Sequence, residues 1–153
     1  MWQVPNMVSF TKGTAEGHSH LNAFDNALLA GGIGNLNLVK VTSIVPPKAR
    51  VEAIPSIPVG ALVPTVYAHI TSNVSGEIIS ACVGMGLSSD SQGVIMEYAH
   101  PGSATVAEEI VKKMLKEALE KRNLSLTKTI LISAEHKVKK LGCAVAAAIL
   151  WWG

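Results

Sequence analysis

The chain has 153 residues and a formal net charge of +2, with 48% hydrophobic and 16% charged residues. That length fits one domain with a substantial core, needing neither disulfides nor a structural metal. The charge is small and acidic residues interleave with several of the basic ones in 112–122 and 137–140, so nothing points to nucleic acid, while the apolar excess points to surface covered by other copies of the chain.

The opening "MWQVPNMVSF" has no basic segment followed by a long apolar run. The closing "CAVAAAILWWG" is far shorter than the ~20 residues of a membrane span, so no membrane segment is expected and the chain reads as cytoplasmic. "QVPNMVSFTKG" predicts a first strand, followed by a polar loop to His20. From Leu21 the apolar residues Leu21, Phe24, Leu28 and Leu29 keep a helical period, with Asn22 or a neighbour as the cap and Gly31–Gly32 as the stop. "LNLVKVTSIV" alternates as a strand does, and Pro46 and Pro47 end it. A proline-punctuated connection leads to three β-rich runs, "TVYAHITSN", "EIISACVGMGL" and "GVIMEYAH". "TVAEEIVKKMLKEALEKRN" predicts the clearest helix. Thr105 and Glu108 have the capping-box spacing, and Val106, Ile110, Val111, Met114, Leu115 and Ala118 form its stripe. "LTKTILISAEH" and "GCAVAAAILWW" finish the chain, the second fitting strand or helix equally. The order of elements suggests a single α+β domain.

Few of the polar residues declare a chemistry. His18 and His20 form an H-x-H pair, and His69, His100 and His136 are scattered, so their spacing suggests no metal site. Cys82 and Cys143 are far apart in apolar surroundings and read as reduced core thiols. "GGIG" at residues 31–34 follows a helix rather than a strand and fits a helix-exit turn better than a phosphate cradle. Glu97 interrupts an apolar strand, where a carboxyl either faces solvent, the ordinary case, or is partly desolvated with a raised pKa. Asp25 fits the wet face of an amphipathic helix, and turn chemistry explains Asn35.

Four stretches, "LNAFDNALLAGGIGNLNLVKVTSIVPP", "PVGALVPTVYAHI", "GVIMEYAH" and "AEHKVKKLGCAVAAAILWW", occur in one consistent order. Together they resemble the pyruvoyl-dependent arginine decarboxylase family through nearly the whole chain. The family's self-cleaving site is typically Ser-Ser-Ile-Met-Pro-Pro, and here it reads Thr42-Ser43-Ile44-Val45-Pro46-Pro47. The resemblance implies a four-layer α/β/β/α sandwich, assembled as trimers with active sites between subunits. It also implies cleavage between Thr42 and Ser43 into a β chain of residues 1–42 and an α chain of residues 43–153. Ser43 would become a covalently bound pyruvoyl group, with no pyridoxal phosphate and no metal. By the same resemblance Glu97 is the proton donor, Asn37 stabilises charge near the reacting carbonyl, and Asp25 holds the guanidinium of L-arginine. Agmatine and carbon dioxide are the implied products, and polyamine synthesis or acid resistance the implied setting. Two other readings stay open: a pyruvoyl decarboxylase of another amino acid, and an uncleaved structural or regulatory paralogue.

Overall fold

The computed structural model describes residues 3–89 and 91–153; Met1, Trp2 and Asp90 lie outside, so the N-terminal segment is described from Gln3 onward. In chain order the elements are β1 (Met7–Glu16), α1 (His20–Ala30), β2 (Asn37–Lys40), β3 (Ile44–Val45), β4 (Arg50–Val51) and β5 (Leu62–Ser72). They continue as β6 (Ile78–Leu87), β7 (Gly93–His100), α2 (Ala104–Glu120), β8 (Lys128–Lys137) and β9 (Gly142–Trp151). The first sheet has the order β2-β5-β9-β1-β4 and the second β3-β7-β6-β8.

Alternation along the strands decides what each face buries. On β9, Cys143, Val145, Ala147 and Ile149 meet Ala23, Ala27 and Leu28 of α1. The intervening Ala144, Ala146, Ala148 and Leu150 face the second sheet, where Ile79, Val83, Met85 and Ile95 close the central layer. The outer face of that sheet takes Ala107, Val111, Leu115 and Leu119 of α2. Burying each larger aliphatic side chain contributes about 1.5–3 kcal/mol, so the central layer is the main source of cohesion. The result is the expected α+β sandwich of four layers, α/β/β/α.

The ambiguous C-terminal segment is thus a strand, buried on both faces at the centre of its sheet. Alanine is a poor strand former, but here its small side chain lets a helix and a second sheet approach closely, and burial overrides propensity. Several boundaries differ from expectation. β1 continues to Glu16, because its ladder with β9 runs ten residues from Met7↔Trp151 to Glu16↔Gly142. Helix α1 is capped by Ser19, whose Oγ accepts the Asn22 N–H at 3.0 Å, so Asn22 is the capped residue. Leu21 and Leu29, in the helical period of α1, and Val106, in the expected stripe of α2, are exposed. Helix α2 is capped by Ser103, and Glu108 instead accepts a hydrogen bond from the Ser133 hydroxyl at 2.5 Å. The expected strand over residues 36–45 breaks after Lys40 and resumes in the other sheet at Ile44. The glycine stop is found as expected, with Gly31 as the cap and Gly32 at φ +78°.

A carboxylate clasps the sheets on each side of the sandwich. On the β1/β8 side, the Glu16 carboxylate meets His136 Nε2 at 2.6 Å and accepts the N–H groups of Lys140 at 2.7 Å and Leu141 at 3.1 Å. Burial works against this charge, but the Lys140 N–H, the His136 ring and the neighbouring N–H groups outweigh it and hold the pKa down to about 2. A carboxyl lowered from 4.5 stabilises the fold at higher pH, and that contribution is lost as pH falls through the interval down to about 2. Glu16→Gln should therefore destabilise the protein at pH 7 by roughly 1.5–3 kcal/mol. Urea unfolding at fixed protein concentration should show the two proteins converging as pH falls from 4.5 toward 2; a difference independent of pH would contradict it.

Candidate active site

Strand β2 is the edge of the first sheet, parallel to β5 with Asn37↔Leu62 through Lys40↔Thr65 in register. The Val41 N–H carries the ladder one step further, to the Thr65 carbonyl at 3.1 Å. Strand β3 pairs antiparallel with β7 in the second sheet, Ile44↔Val94 and Val45↔Gly93. Ser43 is already attached there, its carbonyl oxygen accepting the Ile95 N–H at 2.7 Å. The backbone therefore crosses between the sheets from Val41 to Ser43, with the exposed Thr42 as the span. Among the described residues no group hydrogen-bonds the Thr42 carbonyl oxygen or the Ser43 hydroxyl. Pro46 and Pro47 end β3 in a turn closed by the Ala49 N–H on the Pro46 carbonyl at 3.2 Å, with Lys48 at φ 65°. Proline can neither extend the ladder nor let the chain slip along β7, so the register of Ser43 is fixed.

That register brings Glu97 to the same place. It lies two residues beyond Ile95 on β7, about 6.6 Å along the strand and on the same face. Continued past Ser43, the pairing of β3 with β7 would set residue 41 opposite Glu97. Its side chain is 28% exposed, which corrects the solvent-facing reading. Burial pushes its pKa above the usual carboxylate value, and the opposing charge of Lys40 does not cancel the shift. Lys40 Nζ is 3.6 Å from Glu97 Oε1 and 4.8 Å from the centroid of the Tyr67 ring. The ammonium is thus held between a carboxylate and an aromatic face, both of which attract a cation. Behind it the His69 ring packs 4.4 Å from Phe24 of α1 and 6.0 Å from Tyr67. Partial burial, then the Lys40 charge, holds the His69 pKa below its ordinary value.

The other two expected site residues make no hydrogen bond or ion pair to Ser43 or Glu97 among the described residues. Asn37 Nδ2 donates to the Gly60 carbonyl at 2.8 Å, at the far end of β2. Six residues of extended chain separate it from Ser43, about 20 Å. Asp25 is exposed on α1 beside Phe24 and has no ion pair among the described residues. The structure brings Ser43 and Glu97 together and leaves Asn37 at the far end of β2, while Asp25 stands beside Phe24, whose ring packs on Tyr67 and His69. Sequence reasoning missed Lys40, Tyr67 and His69; the only signal was that Tyr67 and His69 alternate onto one face of β5. Cys82 and Cys143 are buried, with pKa values pushed up to about 12 by burial, so both are neutral thiols at ordinary pH. Among the described residues no three of His, Cys, Asp and Glu cluster as metal ligands.

Known proteins resemble this chain from end to end. A family model described as pyruvoyl-dependent arginine decarboxylase matches residues 7–152. A pyruvoyl-dependent arginine decarboxylase of Methanocaldococcus jannaschii is 47% identical over 153 residues, covering 99% of this chain and 93% of its own. A protein of the same description from Pyrococcus abyssi is 46% identical, covering 98% of each chain. A third, from Methanococcus vannielii, is 43% identical, covering 99% of this chain and 93% of its own.

Proposed function

The chain belongs to the pyruvoyl-dependent arginine decarboxylase family, and from that premise we propose that it cuts itself between Thr42 and Ser43 and then converts L-arginine to agmatine and carbon dioxide. The observation that carries this reading is the crossing itself: an open Thr42 carbonyl next to a serine pinned to β7, with a desolvated carboxyl two residues further along that strand.

Ser43 Oγ attacks the Thr42 carbonyl carbon, and the peptide C–N bond breaks as the Ser43 nitrogen takes up a proton, leaving an ester. Loss of the Ser43 α-proton and rupture of its Cβ–O bond then free Thr42 as a carboxylate and leave dehydroalanine. Water replaces the nitrogen, ammonia departs, and the second chain begins with a pyruvoyl ketone. Thr42 in place of serine keeps the one group the chemistry needs from that position, its carbonyl.

The fold suits a chain that is cut. Residues 1–42 supply β1, α1 and β2, and in the first sheet β5 and β9 lie between β2 and β1. The two pieces are interleaved in one sheet, so they stay together after cleavage, and the cut breaks no pairing between strands. The pyruvoyl group supplies an electron sink for the electrons freed on loss of carbon dioxide, the part pyridoxal phosphate plays elsewhere, and needs no metal. Glu97 gives a proton to the former α-carbon of the substrate, and burial, which favours its neutral form, suits that role. Asp25 accepts two hydrogen bonds from the planar guanidinium. Asn37 offers its amide to developing oxyanion charge.

Asn37 lies away from Ser43 in one chain and the exposed Asp25 has no ion pair there, which supports sites completed by a neighbouring subunit in a trimer. An apolar groove of about 270 Å³ supports the same reading; it is lined by Pro5, Val39, Val41, Leu62, Leu150 and Trp152. The cytoplasm is the compartment in this reading, and no helix among the described residues is long and apolar enough to cross a membrane.

Intact mass under denaturing conditions should resolve two chains cut after Thr42, the larger blocked at its N-terminus, and Ser43→Ala should remain one inactive chain. Cleavage persisting in Ser43→Ala would overturn the assignment, and an uncut wild type would favour a non-catalytic subunit. Removing one member of a desolvated charge pair costs on the order of 2–5 kcal/mol, so Asp25→Ala should leave processing intact while lowering arginine turnover far more than turnover of an apolar amino acid. Unchanged arginine kinetics would move the guanidinium site elsewhere. Glu97→Gln keeps size and hydrogen bonding without an acidic proton, so it should still yield cleaved chain while decarboxylation falls roughly 10²–10⁴-fold. Near-normal turnover in that variant would assign the proton to another donor.

A further inference from the structure

The ion pair on the β2/β7 side crosses the bond that is cut. Lys40 belongs to residues 1–42 and Glu97 to residues 43–153. Before cleavage the local charges balance, one ammonium against one carboxylate. Cleavage adds a second carboxylate at Thr42 and no cation, because the former Ser43 nitrogen leaves as ammonia. Three charged groups then share a half-buried corner that held a neutral pair.

We propose that Lys40 is a positioning residue with two successive partners: the Glu97 carboxylate in the intact chain, and the new Thr42 carboxylate once the bond to Ser43 has broken. This rests on the self-cleavage proposed above. The first partnership is easily given up. Its 3.6 Å separation is long for a charged hydrogen bond, and the Lys40 side chain is 53% exposed, so solvent screens it. The second partner is within reach. Thr42 lies two residues from Lys40 along extended chain, about 6.6 Å, comparable to the length of the lysine arm. The Tyr67 ring seats the ammonium in either state, and pairing of Lys40 with Thr65 fixes the backbone from which the arm swings.

The exchange changes what Glu97 does. In the intact chain its carboxylate has a counter-cation and is available to take up a proton during maturation. After the cut it has lost that cation, gained a neighbouring anion and kept its desolvation, so of the two carboxyls Glu97 is the one that takes up a proton. The cut then converts a base into the acid the decarboxylation needs. The other ionisable groups around Glu97 do not replace Lys40. Strand β5 contributes Tyr67 and His69, α1 carries Asp25 beside Phe24 and His20 against Thr71, β3 carries no ionisable group, and the one on β9 is Cys143, a buried neutral thiol turned toward α1. Cys82, Tyr98, His100 and Glu108 belong to the opposite face of the second sheet, toward α2.

Carbon-13 NMR of carboxyl-labelled glutamate reads this without any turnover. The Glu97 resonance is assigned by its loss in Glu97→Gln, and its midpoint is compared in the intact Ser43→Ala chain and in fully cleaved protein. The cleaved protein should titrate at least one pH unit higher, a tenfold gain in proton affinity. Lys40→Met in the Ser43→Ala background should raise the intact-chain midpoint by a similar amount without any cut, and Lys40→Arg should restore it. If Lys40→Met does not fold, the comparison of intact with cleaved protein, and Lys40→Arg, still decide. Equal midpoints in intact and cleaved protein, or an intact-chain midpoint indifferent to Lys40→Met, would overturn the exchange alone. A wild type whose intact mass shows no cut would overturn the functional reading and the exchange with it.

Discussion

Everything distinctive about this chain follows from how briefly it passes between its sheets. Val41 still pairs with Thr65 of the first sheet, and Ser43 already pairs with Ile95 of the second, so one exposed residue spans the gap. Both ends of the crossing are tied by ladders that cannot slide: β2 is held in parallel register by β5, and β3 is stopped two residues later by Pro46 and Pro47. A peptide held this way has little freedom to turn from the hydroxyl beside it. The same arrangement makes a break tolerable. Strand β1 lies inside the first sheet between β9 and β4, and Glu16 is clasped by His136 and the turn at Lys140 and Leu141. Residues 1–42 can leave only if that sheet is taken apart.

Patterning made most of the architecture legible, and the exceptions have physical causes. The two helices, the glycine exit at Gly31–Gly32 and the strands "EIISACVGMGL" and "GVIMEYAH" were readable from periodicity and turn chemistry. Strand β9 was not, because an alanine run has no β-branched signature and its strand character comes from the layers that enclose it. The break after Lys40 was invisible for a different reason. "LNLVKVTSIV" alternates without interruption, and alternation says which face a residue takes, never which sheet. Of the site, the resemblance pointed to Ser43 and Glu97, and the fold brings them to one edge. Lys40 carried no signal, since a lysine on an edge strand is ordinary protection against aggregation. Its closeness to Glu97 arises only because β2 and β7 belong to different sheets whose edges meet.

Two carboxylates on opposite sides of the sandwich show what separates a fastening from a reactive group. Glu16 and Glu97 both bridge the sheets and are both 28% exposed. For both, burial is the largest influence and favours the neutral form. The outcomes are opposite, because Glu16 is held by backbone N–H groups and an imidazole at 2.6–3.1 Å, whereas Glu97 has a single ammonium at 3.6 Å. Backbone donors are part of the fold and cannot swing away, so the Glu16 pKa is held down to about 2. A lone lysine on a flexible arm supports a charge only while nothing nearer competes for it. The chain thus encloses Glu16 in fixed dipoles and leaves Glu97 to a movable partner, so its proton affinity can follow events at the neighbouring crossing.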